Sequence, residues 1–170
     1  RYYDVPAMLE LVDELRRRRP TELVVASPEE TAWESELGEA GATRLVTSPS
    51  EVPDLVASCH VGLSVCRDNA GVSLLAAMPT KIGEFLACGR LVVANAGLVD
   101  AARLLTSHRA GVVLKTSAKD GVAEAADSIE ALVSDPETCR RARLLACSHF
   151  DLNSGVKRLL EIYQEMSVLS

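Results

Sequence analysis

The chain has 170 residues, enough for one domain with a sizeable buried core. Hydrophobic residues make up 48% and charged residues 25%, a globular balance that sets aside an intrinsically disordered chain. The formal net charge of -6 opposes a general nucleic-acid binder, which needs a basic face, but leaves room for a small phosphate ligand that asks only for local positive potential.

The first pattern is helical, Val5–Arg19, and it closes on the basic run Arg16 to Arg19. Positive charge there complements the negative end of a helix; the other reading of the run is contact with anionic lipid or a second domain. Strand Leu23–Ala26, helix Glu29–Ala40, strand Arg44–Val46, helix Glu51–Ser58 and strand Val61–Val65 come after it. A stretch without strong periodicity runs to Pro79. Helix Thr80–Cys88, strand Leu91–Ala94, helix Val99–Ser107 and strand Val112–Leu114 come next. Aromatics are only 4%, so the core is built from Ala, Val and Leu. Continuous Val/Leu strands alternating with helices predict βαβ units in an α/β fold with a parallel, doubly wound sheet and right-handed crossovers. From Lys119 onward the chain reads as helical, with Ala123, Ala126, Ile129, Leu132 and Val133 on one face. Ser134-Asp135-Pro136-Glu137 breaks the pattern and restarts it, with Asp135 as N-cap and Pro136 in the first turn, before a last helix at about Leu152–Met166.

A doubly wound domain normally begins with a central strand, whereas this sequence enters a helix directly. The expectation is a single domain over 1–170 that is a fragment, lacking its first strand. Cys59, Cys66, Cys88, Cys139 and Cys147 contain no C-x-x-C pair, and their odd count opposes a complete disulfide framework. A reducing cytoplasm is the natural compartment. His60, His108 and His149 are scattered without metal-ligand spacing, so no metal site is expected. Neither a signal peptide nor an apolar run long enough to span a bilayer is present in the sequence.

In open α/β sheets ligands bind beyond the carboxyl ends of the strands. The candidate loops are Ser27-Pro28, Thr47 to Ser50, Arg67-Asp68-Asn69-Ala70-Gly71 and Asn95-Ala96-Gly97. The segment from Met78 to Gly89 carries the most information. Pro79 and Thr80 open a helix that Gly89 ends. A lysine in a first turn, Lys81, is electrostatically disfavoured unless an anion sits there. Backbone amides, the Thr80 hydroxyl and the Lys81 ammonium then converge on phosphate oxygens. Glu84 shares their helix face and can accept hydrogen bonds from sugar hydroxyls, while Gly83 allows close approach of sheet, helix or ligand. The bland alternative is an exposed Lys–Glu pair.

Pro79-Thr80-Lys81-Ile82-Gly83-Glu84-Phe85-Leu86-Ala87-Cys88-Gly89, followed by Leu91-Val92-Val93-Ala94-Asn95-Ala96-Gly97, resembles the C-terminal, nucleotide-sugar-binding domain of the retaining glycosyltransferases of the GT-B fold. Ser50 to Ala57, ahead of Val61–Val65, and Gly111-Val112-Val113 resemble further segments of that family. The resemblance implies a Rossmann-like domain with extra C-terminal helices, an N-terminal acceptor domain outside this chain, and a nucleoside-diphosphate sugar of UDP or GDP type as donor substrate, without other cofactor or obligatory metal. It implies that Lys81 and Glu84 are catalytic, that Glu84 holds the ribose, that Thr80 and Lys81 lie near the diphosphate, that Pro79 and Gly83 belong to the same nucleotide-sugar site, and that Ser48, Ser50 and Glu51 lie near the base. Asp100 matches an acidic residue common in its loop. The acceptor is expected to be a glycan or a lipid-linked one, the location cytoplasmic with peripheral membrane contact, and the last helix to pack on the N-terminal domain.

One departure is clear. Many members carry a second glutamate eight positions before the first, and here that position is Ala76. Contacts to the donor sugar then pass to Asp68 or Asn69, and Arg67 beside them is a further candidate for binding the nucleotide sugar. A sugar-nucleotide epimerase half and a non-catalytic, nucleotide-binding regulatory domain are the competing readings.

Overall fold

The computed structural model describes residues 2–27, 32–67, 74, 77–115 and 117–168. In chain order its elements are α1 (Val5–Arg18), β1 (Val24–Ala26), α2 (Glu34–Glu39), β2 (Thr43–Leu45), α3 (Val52–Ser58), β3 (Val61–Ser64), α4 (Thr80–Ala87), β4 (Leu91–Asn95), α5 (Val99–Ser107), β5 (Gly111–Leu114), α6 (Lys119–Ser134), α7 (Thr138–His149) and α8 (Leu152–Val168). All strand pairs between these elements are parallel. The strands form two separate sheets, β1-β2 and β3-β4-β5, where a single sheet is the sequence expectation.

Side-chain alternation along β3, β4 and β5 sorts the core into two layers. Cys66, Val92 and Ala94 pack with Ile82 and Leu86 of α4, Ala101 and Leu105 of α5, and Leu145 of α7. Val65, Leu91, Val93, Val112 and Leu114 pack on the opposite face with Leu11 and Leu15 of α1 and Ala126 and Ile129 of α6. β4 is buried at all five positions, the apolar run Leu91–Ala94 and the polar Asn95 that closes it.

Helix-to-strand joints repeat one device. α2, α4 and α5 each end in a left-handed residue, Gly41 (φ 59°), Gly89 (φ 74°) and Arg109 (φ 50°). In each joint the next amide reaches back one turn: Ala42 N–H donates to Leu37 O, Arg90 N–H to Phe85 O and Ala110 N–H to Leu105 O, at 2.9, 2.9 and 3.0 Å. This is the Schellman arrangement, which satisfies the last carbonyls of a helix. Glycine meets the left-handed requirement at two of the joints; Arg109 meets it against its Cβ.

Two local expectations shift. α7 starts at Thr138 with Glu137 as its N-cap, so Asp135 and Pro136 precede the helix. Asp135 instead ties the turn, accepting from the Glu137 amide (3.0 Å) and the Arg141 guanidinium (2.8 Å). The described part of the second helix is Glu34–Glu39, shorter than the predicted span, and residues 28–31 lie outside the described residues. In α8, Leu152, Val156, Leu159, Leu160, Tyr163 and Met166 are exposed. Among the described residues no helix is long and apolar enough to cross a membrane.

Arg109→Gly should raise stability by about 0.5–1 kcal/mol in urea denaturation, because it removes the left-handed penalty. The exposed Arg109–Asp135 pair it deletes, 3.7 Å apart, subtracts little. Gly62→Ala should do the reverse. A Cβ there would stand 2.3 Å from Cγ of the Phe85 ring, an overpacking clash costing about 1–3 kcal/mol.

Candidate functional site

The site grows from the carboxyl end of β3. The β3–β4 ladder pairs Ser64 with Ala94, and beyond it a side chain takes over: the Cys66 amide donates to Asn95 Oδ1 at 2.9 Å, in the interior. The other edge of this segment carries the N-terminal residues. Asp4 N–H donates to Val65 O and Arg67 N–H to Tyr2 O, both at 3.0 Å, and Tyr3 pairs antiparallel with Cys66. Asp4 also caps α1, its Oδ1 accepting from the Ala7 amide at 3.2 Å.

α4 descends onto this end. Its N-cap, Pro79, supplies no side-chain hydrogen bond to the first turn, and Ile82 N–H turns back to Pro79 O at 3.0 Å. Lys81, half-buried, places its Nζ 3.9 Å from the centre of the Tyr3 ring, and Tyr3 meets Tyr2 edge to face at 5.5 Å. Lys81 therefore engages an aromatic face, where the bland alternative has it paired with Glu84 on the surface. Thr80 and Glu84 are exposed on the same helix, four residues apart. Gly83 is buried, and its reason is packing: a Cβ there would lie 2.8 Å from the Phe150 ring that follows α7. Arg67 stacks its guanidinium 5.5 Å from the Trp33 ring, joining the end of β3 to the start of α2.

Burial pushes the Cys66 thiol above its ordinary value; the Tyr2 hydrogen bond and the Lys81 charge act the other way without cancelling it. Burial likewise raises the Tyr2 phenol, with Cys66 adding to the effect. Both groups are thus neutral at physiological pH. Lys81 is the positive charge of this cluster.

Ser48, Ser50 and Glu51 form a turn closed on itself. Ser48 donates to Glu51 Oε2 from its hydroxyl (2.7 Å) and its amide (2.8 Å), and the Ser48 and Ser50 hydroxyls lie 3.0 Å apart. The turn leads into α3, whose Pro53 carbonyl accepts from the Cys88 thiol at 3.8 Å. The start of α3 therefore lies against the C-terminal end of α4, away from Thr80 and Lys81. Asp68, Asn69 and Ala76 lie outside the described residues. Asp100, in the first turn of α5, pairs with Arg103 at 3.1 Å on the surface.

Sequence reasoning missed the Tyr2–Tyr3 platform, the Trp33–Arg67 stack and the structural use of Asn95. None of these has a short motif, because each works through a partner far away in the chain: Lys81 for Tyr3, Arg67 for Trp33 and Cys66 for Asn95. Two open surface hollows among the described residues lie elsewhere, one along α7 between Pro136 and Cys147, the other between α1 and α2. Among the described residues no group of three or more His, Cys, Asp or Glu is placed to hold a metal ion. No family of known proteins matches the chain, and no curated protein matches it.

Asn95→Ala strands the buried Cys66 amide and should cost about 1–3 kcal/mol in chemical denaturation. Glu51 gives a pH signature. The Ser48 hydroxyl first, then the Ser48 amide, hold its carboxyl below the ordinary range. With the folded value depressed, the stabilisation is present above the unfolded pKa and is lost as pH falls through the folded one. Wild type should therefore exceed Glu51→Gln in melting temperature at neutral pH, and the gap should close on acidification below the usual carboxylate range.

Proposed function

We propose that this chain is the donor-binding domain of a glycosyltransferase, holding a nucleoside-diphosphate sugar of UDP or GDP type along α4 for transfer to an acceptor hydroxyl. The order of groups along that helix carries the reading. Uncapped amides, Thr80 and Lys81 stand at its start, beside the β3 carboxyl end. Glu84 is one turn further on, and the Ser48–Glu51 turn leads to the far end. Pyrophosphate, ribose and base succeed one another in the same linear order in a nucleoside diphosphate. α4 has eight residues, about 12 Å, a length that such a ligand spans.

In this reading the helix terminus and Lys81 stabilise charge on the departing diphosphate, which is an electrostatic role, and Glu84 accepts from the ribose hydroxyls. Arg67 supplies a second cation at the end of β3, and Asp68 or Asn69 takes the sugar contacts that Ala76 cannot make. Parallel strands alternating with helices, in the sheets β1-β2 and β3-β4-β5, are consistent with a Rossmann-like domain. A second domain outside this chain holds the glycan or lipid-linked acceptor. The protein works in the cytoplasm, with peripheral membrane contact through that acceptor. Ala76 favours one other reading, a nucleotide-binding domain that performs no transfer.

Calorimetric titration with UDP, GDP, ADP and their sugars tests the proposal. One diphosphate should bind, Lys81→Ala should weaken it about tenfold or more, equivalent to about 1.4 kcal/mol, and Glu84→Ala should weaken the nucleotide while sparing inorganic pyrophosphate. If none of the three diphosphates binds, the proposal falls. Binding in which the attached sugar adds no affinity would favour the non-catalytic domain.

A further inference from the structure

Distant in sequence, His108 and His149 meet where α5 and α7 end. His108 is the C-cap of α5 and His149 the last residue of α7. Their rings stand 5.5 Å apart between centroids at an interplanar angle of 73°, and both are exposed. We propose that this pair is a binding site for a borderline divalent cation of the zinc or nickel class, held through the two Nε2 atoms with water completing its coordination.

Three observations converge. The first is tautomer. Leu104 O, which can only accept, lies 3.0 Å from His108 Nδ1, so that nitrogen carries the proton. On α7 the Ser148 hydroxyl faces Leu144 O at 2.9 Å and Leu145 O at 3.1 Å; with its proton on either carbonyl, its oxygen accepts from His149 Nδ1–H at 2.8 Å. Both rings thus keep the Nε2 lone pair for a ligand, with the other nitrogen anchored to a backbone carbonyl or hydroxyl, as supporting contacts of metal-bound histidines are. The second is spacing. Two imidazoles sharing one ion at a metal–nitrogen distance of about 2.1 Å have centroids roughly 5.3–5.6 Å apart for tetrahedral to trigonal angles. The third is field. Two helix C-termini converge here, and their partial negative charge favours a cation. The adjacent cation, Arg109, is drawn toward Asp135 at 3.7 Å. Imidazole pairs suit zinc, nickel and copper, whereas magnesium and calcium want oxygen donors.

Phe150, next to His149, covers Gly83 of α4, so an ion here would brace the helix that carries Lys81. The site stands independently of any nucleotide.

Titration of the reduced protein with Ni(II) and Zn(II) by calorimetry should reveal saturable binding of one ion per chain. Melting temperature should rise with either ion, fall back with EDTA, and stay unchanged with Mg(II). His108→Asn and His149→Asn, both at exposed positions, should each weaken binding tenfold or more, while Cys139→Ser combined with Cys147→Ser should leave it intact. No saturable binding by the wild type, or equal binding by the His108→Asn/His149→Asn double variant, would overturn the assignment.

Discussion

One side-chain acceptor organises the carboxyl end of β3 and the elements around it. β3 ends its ladder with β4 at Ser64, yet its chain must continue inside the protein before turning outward. Asn95 Oδ1 receives the Cys66 amide there, at a position only 5% exposed. Without it a buried donor would go unsatisfied, and such groups are almost never tolerated. The neighbouring elements hang from this contact. Val65 and Arg67, on the other side of the same segment, grip Asp4 and Tyr2, which starts α1 and lays Tyr3 beneath Lys81. The register of α1, of the tyrosine pair and of the α4 cation is thus set where β3 and β4 stop being a regular sheet.

Steric constraint then fixes the depth of α4. Phe85 presses onto Gly62 of β3, and Phe150 presses onto Gly83 from the other side. Each glycine sits where a methyl group would collide, so the helix is clamped between sheet and α7 with little freedom to lift. Dense interiors transmit such displacements instead of absorbing them. On the reading proposed above, the first turn of α4 gains from this clamping, since donors held in place need no reorganisation when a ligand arrives.

The apolar rhythm makes most elements legible: each unbroken Val/Leu run is a parallel strand, and Val99–Ser107 matches in both bounds. Gly89 as a helix end is legible too, because a left-handed joint leaves a glycine signature. Arg109 hides the same joint, since its residue type carries no such signal. The split into two sheets is not legible, for apolar runs report burial and not which neighbour they pair with. In the candidate site, Thr80, Lys81 and Glu84 can be read from helical spacing alone. Gly83 is visible as a close approach, but only packing can say that Phe150 is what approaches. The α7 start differs from its expected place because Asp135 has two uses, capping or turn-tying, and its reach to Arg141 decides between them.

The contact between Lys81 and Tyr3 bears on how an anion would be received. A cation over an aromatic ring is worth about 0.5–1 kcal/mol at an exposed site and about 2 when desolvated. Charge-assisted hydrogen bonds to phosphate exceed a neutral bond roughly twofold and come several at a time from amides and ammonium together. On the proposed reading, the ring holds Lys81 near the helix terminus without outcompeting a diphosphate for it. Electrostatics point the same way: a cation in a helix's first turn is disfavoured by the positive helix end, and the aromatic face offsets part of that cost. Tyr3 in this view is a resting place that keeps the charge preorganised, so that ligand binding needs a short swing of one side chain and no change of backbone.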